Sequence, residues 1–189
     1  IDAIRRPDPP ADQQTPAPER PGEGLRILMV DHQDSFVHTL AGYLRETGAD
    51  VVTLRSGFDR DVLAGENADL VVLSPGPGIP TDFELNTTIG HALDLGLPLF
   101  GVCLGLQGLV EYFGGTLGTL GVPMHGKPSM ITVDTGSSMF AGLPPRFEIG
   151  RYHSLFADPA TLPECFEVTA RTDDGTVMAV EHRTLPVRA

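Results

Sequence analysis

The sequence predicts an α/β protein, a doubly wound and mostly parallel sheet with a smaller mixed or antiparallel region in its C-terminal half. Two observations lead to that class. Short apolar runs, too continuous for a sheet with one wet face, alternate with helix-spaced segments up to about residue 113. Beyond Gly114-Gly115 the spacing shortens to small strands separated by turn residues.

Taken in order, residues 1–24 hold six prolines (Pro7, Pro9, Pro10, Pro16, Pro18 and Pro21), many charges and no apolar period. Such a stretch cannot offset the entropy of ordering and is expected to be a linker. A start at Ile1 rather than Met points to a piece of a longer polypeptide with a folded unit upstream. Residues 25–189 are expected to form one domain.

Arg26-Ile27-Leu28-Met29-Val30 reads as the first strand. Asp34-Ser35 then cap a helix with Phe36, Val37, Leu40, Tyr43 and Leu44 at helical spacing, which Gly48 ends. Val51 to Leu54 and Leu70 to Leu73 follow as buried parallel strands. A second helix sets Leu85, Ile89, Ala92 and Leu93 on one face, and Gly96 and Pro98 lead into a fourth strand, Leu99 to Val102. Leu104 to Phe113 is helical, and strand pieces are expected near 129–133, 147–151, 166–171 and 177–182.

Composition excludes several functions. A formal net charge of −12 repels nucleic acid and anionic membrane. No apolar run approaches the roughly 20 residues of a membrane span, and the start lacks the apolar stretch of a secretory signal, so a cytoplasmic address is expected. Cys103 and Cys165 are too few for a disulfide framework or a cysteine zinc site, and no metal site is expected in this domain.

The chemistry gathers at Gly101-Val102-Cys103-Leu104-Gly105, between the fourth strand and a helix, which is the context of a nucleophile elbow. Glycines on either side relieve crowding where strand meets helix, and the helix N-terminus is expected to lower the thiol pKa of Cys103. The plain alternative is a buried structural cysteine. Ser74-Pro75-Gly76-Pro77-Gly78 follows the third strand and should share the rim with Cys103. Its rigid backbone suits an oxyanion hole completed by the Leu104 N–H, and its plain alternative is a turn without chemistry.

Pro75-Gly76-Pro77-Gly78, Gly101 to Gln107 and Tyr152-His153-Ser154-Leu155 together resemble class I glutamine amidotransferases over nearly all of residues 25–189. The resemblance implies a flavodoxin-like sheet and glutamine as the substrate. It makes Cys103 the nucleophile, with Gly76 and Leu104 supplying the oxyanion hole. Gly78, Gln107, Ser154 and Leu155 would bind glutamine. Asp31-His32-Gln33-Asp34-Ser35-Phe36 and Met124-His125-Gly126-Lys127-Pro128 further resemble the glutaminase component of anthranilate or aminodeoxychorismate synthase. There Asp34, Ser35, His125, Gly126 and Lys127 would face a chorismate-using synthase, here expected to be fused upstream. Mg2+ is implied only in that partner, and no cofactor in this domain.

One departure stands out. The family's Gln-Phe-His-Pro-Glu, with the general base and the carboxylate that orients it, has no match, and its place would begin within one or two residues after Ala189. The chain alone is therefore expected to be poorly active. None of His32, His38, His91, His125, His153 or His182 precedes Pro-Glu; His153 is the one tempting substitute base, while His182 is expected to be exposed in a hairpin and Cys165 to be a structural or exposed bystander. Two other readings stay open: another cysteine hydrolase on an α/β scaffold, and a non-catalytic module that binds a synthase partner.

Overall fold

A computed structural model describes residues 20–189. The first half runs β1 (Arg26–Asp31), α1 (Val37–Glu46), β2 (Asp50–Arg55), α2 (Arg60–Gly65), β3 (Leu70–Leu73), α3 (Leu85–Asp94), β4 (Leu99–Gly101) and α4 (Leu104–Tyr112), with a 3-10 turn at Pro80–Phe83 before α3. The second half is all strand: β5 (Leu117–Val133), β6 (Arg146–Ala157), β7 (Phe166–Thr172), β8 (Val177–His182) and β9 (Val187–Arg188).

Among the described residues, nine strands form one sheet in the order β2-β1-β3-β4-β9-β8-β7-β5-β6. The β1–β2, β1–β3, β3–β4 and β4–β9 pairs are parallel, whereas β5 to β8 pair antiparallel. The expected division into a parallel half and an antiparallel half is therefore present, but within one continuous sheet.

Strand alternation explains why helices cover both faces. Leu28 and Val30 of β1 join Val71, Leu73, Leu85, Ile89 and Leu104 in the larger core, while Ile27 and Met29 join Val72, Val37 and Ala41 beneath α1. Burying each such side chain stabilises the fold by about 1.5–3 kcal/mol. Because β2 and β3 lie on opposite sides of β1, strand order reverses there, and the loops after β1 and β3 open a crevice at the carboxyl rim.

Several local expectations differ from the structure. The six-residue α2 buries only Leu63 and leaves no periodic stripe to read. β5 is 17 residues long, although Gly118, Gly121, Pro123, Gly126 and Pro128 read as turns; two register shifts against β6 absorb Gly121, Pro123 and Gly126, while Gly118 and Pro128 pair in register. Of the expected linker, residues 1–19 lie outside the described residues. Residues 21–24 form a turn, and the Gly22 N–H donates to the Thr47 carbonyl at 2.9 Å. The start of α1 carries no side-chain cap on its N-cap residue Phe36; Asp34 instead accepts the Phe36 N–H at 2.7 Å, one residue too early.

Candidate active site

Cys103 occupies the turn between β4 and α4 with φ 54° and ψ −100°, a backbone conformation that costs a non-glycine residue roughly 1–3 kcal/mol. Its neighbours show why the turn needs glycine. A Cβ on Gly101 would lie 2.6 Å from the Gly105 carbonyl carbon, and one on Gly105 would lie 2.4 Å from the Leu73 carbonyl oxygen. The sharp elbow lifts the Cys103 side chain to the rim, where Sγ donates to the Tyr152 carbonyl at 3.7 Å.

The thiol pKa departs from expectation. Burial pushes Cys103 above the ordinary value, the Leu104 N–H pulls it down, and the Asp34 carboxylate adds a smaller upward push. The net direction is up, so the pull at the start of α4 is outweighed by desolvation. A raised thiol pKa favours the protonated sulfur.

Gly76 lies against the elbow. A Cβ there would meet Leu104 Cδ2 at 2.4 Å and His32 Cβ at 2.8 Å, so only a glycine lets this backbone approach α4 so closely. His32, fully buried, braces the same loop: its N–H donates to Ser74 Oγ at 3.0 Å and its Nδ1 lies 3.1 Å from the Ser74 carbonyl. Ser74 Oγ in turn donates to the Pro75 carbonyl at 2.7 Å. Gly78 has φ 72° and faces Asp82, whose carboxylate accepts the Ile79 N–H at 3.0 Å.

A cavity of about 220 Å³ is lined by Gly76, Gly78, Cys103, Gln107, His125, His153, Ser154 and Leu155. Every residue expected to touch glutamine, apart from the buried Leu104, therefore meets around one space. A wider, largely apolar trench of about 670 Å³ opens beside it, sharing Cys103 and Gln107 and running past Phe100 to Ile131 and Phe147. Asp34, Ser35 and His125 line this trench, whereas Gly126 and Lys127 are exposed outside both spaces. The expected interface residues thus divide into a wall and a rim. Phe36, Tyr152 and His125 stack along that rim with ring centroids 5.6 Å apart at each step.

His153 is already occupied. Its Nδ1 lies 2.8 Å from the Leu155 carbonyl, and its Nε2 lies 3.0 Å from Arg151 Nε. Guanidinium nitrogens only donate, so Nε2 must accept and Nδ1 must carry the proton. Burial pushes the His153 pKa down, the Leu155 carbonyl pushes back, and nearby Arg151 lowers it further. The lone pair a base would use is spent on Arg151, which argues against His153 as the substitute base. His182 packs against Phe113 and Phe166, away from the cavities, and Cys165 is a half-buried neighbour of the larger core.

Arg151 itself was not among the expected site residues. It is 2% exposed, and its remaining donors reach Asp174 at 3.2 Å and Thr176 at 3.3 Å. Its signal lay in β6, where Phe147, Ile149, Arg151, His153 and Leu155 share the inward phase of the alternation. Among the described residues, no cluster of three or more His, Cys, Asp or Glu could hold a metal, and no helix is long and apolar enough to cross a membrane.

The chain is similar to known proteins. The chain is 59% identical over 188 residues to an anthranilate synthase of Azospirillum brasilense, matching 100% of this chain but only 26% of that protein. It is 40% identical over 162 residues to the aminodeoxychorismate/anthranilate synthase component 2 of Bacillus subtilis, covering 85% of this chain and 83% of that one. Among solved structures, a Thermoplasma acidophilum protein assigned to GMP synthase superposes with a TM-score of 0.78 at 26% identity, covering 87% and 81% of the two chains. The sequence model of the glutamine amidotransferase class-I family matches residues 28–189, well over half of the chain. The chain belongs to the class I glutamine amidotransferase family.

Proposed function

We propose that this domain hydrolyses the side-chain amide of glutamine and passes the ammonia to a chorismate-using synthase that makes anthranilate. The carrying observation is the strained Cys103 elbow opening into a cavity that also gathers Gly76, Gly78, Gln107, Ser154 and Leu155. In this reading the Cys103 sulfur attacks the amide carbon. The N–H groups of Gly76 and Leu104 stabilise the oxygen of the tetrahedral intermediate. The C–N bond breaks with proton delivery to nitrogen, ammonia leaves, and water hydrolyses the resulting thioester to glutamate and the free thiol.

The raised thiol pKa makes an external base necessary. The resemblance gives that role to the His of a His-Pro-Glu. The end of the sheet is open to such a group: Arg188 pairs with Phe100 in β4, and Ala189 lines the same trench as Cys103. A base there would stand beside the elbow. The trench wall of Asp34, Ser35 and His125, with the outer rim of Gly126 and Lys127, is the proposed synthase-facing surface. Mg2+ would belong to the synthase.

In this reading the domain works within a parent synthase, and the test uses that protein with an electrophilic glutamine analogue. The adduct should map to Cys103, and Cys103→Ala should abolish product formation from glutamine while sparing formation from ammonium. Labelling that persists in Cys103→Ala would overturn the nucleophile assignment. The Bacillus subtilis relative is named for both products, so the aminodeoxychorismate reading is kept as the second one. Identifying the amino product made from chorismate separates the two.

A further inference from the structure

Arg151 is the residue whose placement is hardest to explain by folding alone. Taking a guanidinium out of water costs several kcal/mol and persists only where its donors are met. Here all three nitrogens are engaged, and they serve two directions. Nη1 and Nη2 reach Asp174 and Thr176 beside the β7–β8 turn, tying β6 to that hairpin. Nε points instead along its own strand to His153, toward the glutamine cavity.

The second direction continues into the site. Because Arg151 cannot accept, His153 is held with its proton on Nδ1, where it meets the Leu155 carbonyl at 2.8 Å. The same carbonyl accepts Gln107 Nε2 at 3.5 Å. That bond orients the amide and leaves Oε1 and the second Nε2 proton of Gln107 for a ligand in the cavity that Gln107 lines. The opposite tautomer would set an Nδ1 lone pair against the carbonyl, turning an attraction into a repulsion. Leu155 would shift, and Gln107 would lose the partner that fixes its amide.

We infer that Arg151 is a positioning residue of the glutamine site: it locks the tautomer of His153, and through the Leu155 carbonyl that lock fixes the face Gln107 presents to the substrate. The inference rests on the glutaminase reading proposed above. The charged and titratable groups around His153 are Arg151 on its own strand and Asp174 from the β7–β8 turn, with Cys103 and His125 lining the same cavity.

Two substitutions separate positioning from scaffolding. Arg151→Lys keeps a charge for Asp174 and Thr176 but has no Nε–H for His153. Asp174→Asn weakens the hairpin tie and leaves Nε in place. In histidine-labelled samples of the 189-residue chain at pH 8, NMR should show neutral His153 as the Nδ1–H tautomer, and in Asp174→Asn as well. In Arg151→Lys it should populate both tautomers. In the parent synthase, Arg151→Lys should raise KM for glutamine about three- to tenfold, the worth of one misplaced hydrogen bond, with kcat changed less. Product formation from ammonium should stay unchanged.

Unchanged tautomer and KM in Arg151→Lys, or an equal rise in KM in Asp174→Asn, would overturn the inference. If Arg151→Lys does not fold, His153 variants carry the test. His153→Asn keeps a donor where Nδ1 stands and His153→Gln does not, so the second should raise KM more; equal effects would reject the relay. A wild-type parent that makes product from ammonium but never from glutamine would instead reject the glutaminase reading, and the NMR arm would still decide whether Arg151 locks His153.

Discussion

Gly105, two residues into α4, lies so close to β3 that a Cβ built on it would stand 2.4 Å from the Leu73 carbonyl oxygen and 2.8 Å from the Leu73 Cβ. Neither atom can swing away, since one is backbone and the other is fixed to it. Gly105→Ala is expected to destabilise the chain by about 1–3 kcal/mol. At roughly 2–4 °C per kcal/mol for a chain of this size, thermal melting should record a clear fall in Tm. Gly42→Ala is the matched control: it lies within α1, meets nothing within 4 Å and should gain up to about 1 kcal/mol. An unchanged Tm for Gly105→Ala would mean that α4 does not sit this tightly on β3.

The raised pKa of Cys103 gives a reactivity prediction for the 189-residue chain. Alkylation by iodoacetamide requires the thiolate, so the rate at pH 7 should be below that of a free cysteine. It should climb through the alkaline range, with its midpoint above the ordinary thiol value of 9.0. A Cys165→Ser background with mass-spectrometric mapping isolates the site. Rapid alkylation of Cys103 at pH 6 would show that helix α4 outweighs burial after all.

These two residues also mark how far the sequence could be read. Gly101, Cys103 and Gly105 are legible because a strand-to-helix elbow admits few residue types, and the conformation at Cys103 confirms the turn. The direction of the thiol pKa is not legible, because it depends on tertiary burial and, to a smaller degree, on the charge of Asp34, 69 residues away in sequence. α2 and the two-residue β9 escape because neither is long enough to show a period. Arg151 was visible as a charge in the inward phase of β6, but pattern alone cannot tell a buried guanidinium from a slip in register.

His32 predicts an acid-sensitive fold. Its ring is fully buried, Nδ1 lies against the Ser74 carbonyl, and Nε2 has no partner, so protonation would bury an unpaired N–H. Burial lowers its pKa from 6.5 to about 4, partly opposed by Ser74 and Asp31. The unfolded chain therefore binds the proton first. The stability due to His32 is fully present above pH 6.5 and drains away as pH falls toward 4, a loss of roughly 3 kcal/mol at most. Urea unfolding at pH 7.0, 5.5 and 4.5 should show that decline in the wild type and a flatter one in His32→Asn. Parallel slopes in the two proteins would assign the acid sensitivity to other groups.

Lys127 tests the rim as the synthase-facing surface without disturbing the cavity. It is exposed, it sits on β5 where the register shifts, and it lines neither the small cavity nor the trench. Reversing its charge should therefore leave glutamine hydrolysis intact while weakening the fit between the two activities. In the parent protein the expected outcome of Lys127→Glu is a fall in product formed per glutamine consumed, with the difference escaping as free ammonia. A rim charge is screened by salt, so a contact there should make coupling depend more steeply on ionic strength in the wild type than in the variant. Arg60→Glu on α2 should leave the ratio unchanged. If Lys127→Glu couples as tightly as the wild type at every salt concentration, the synthase must dock on another face.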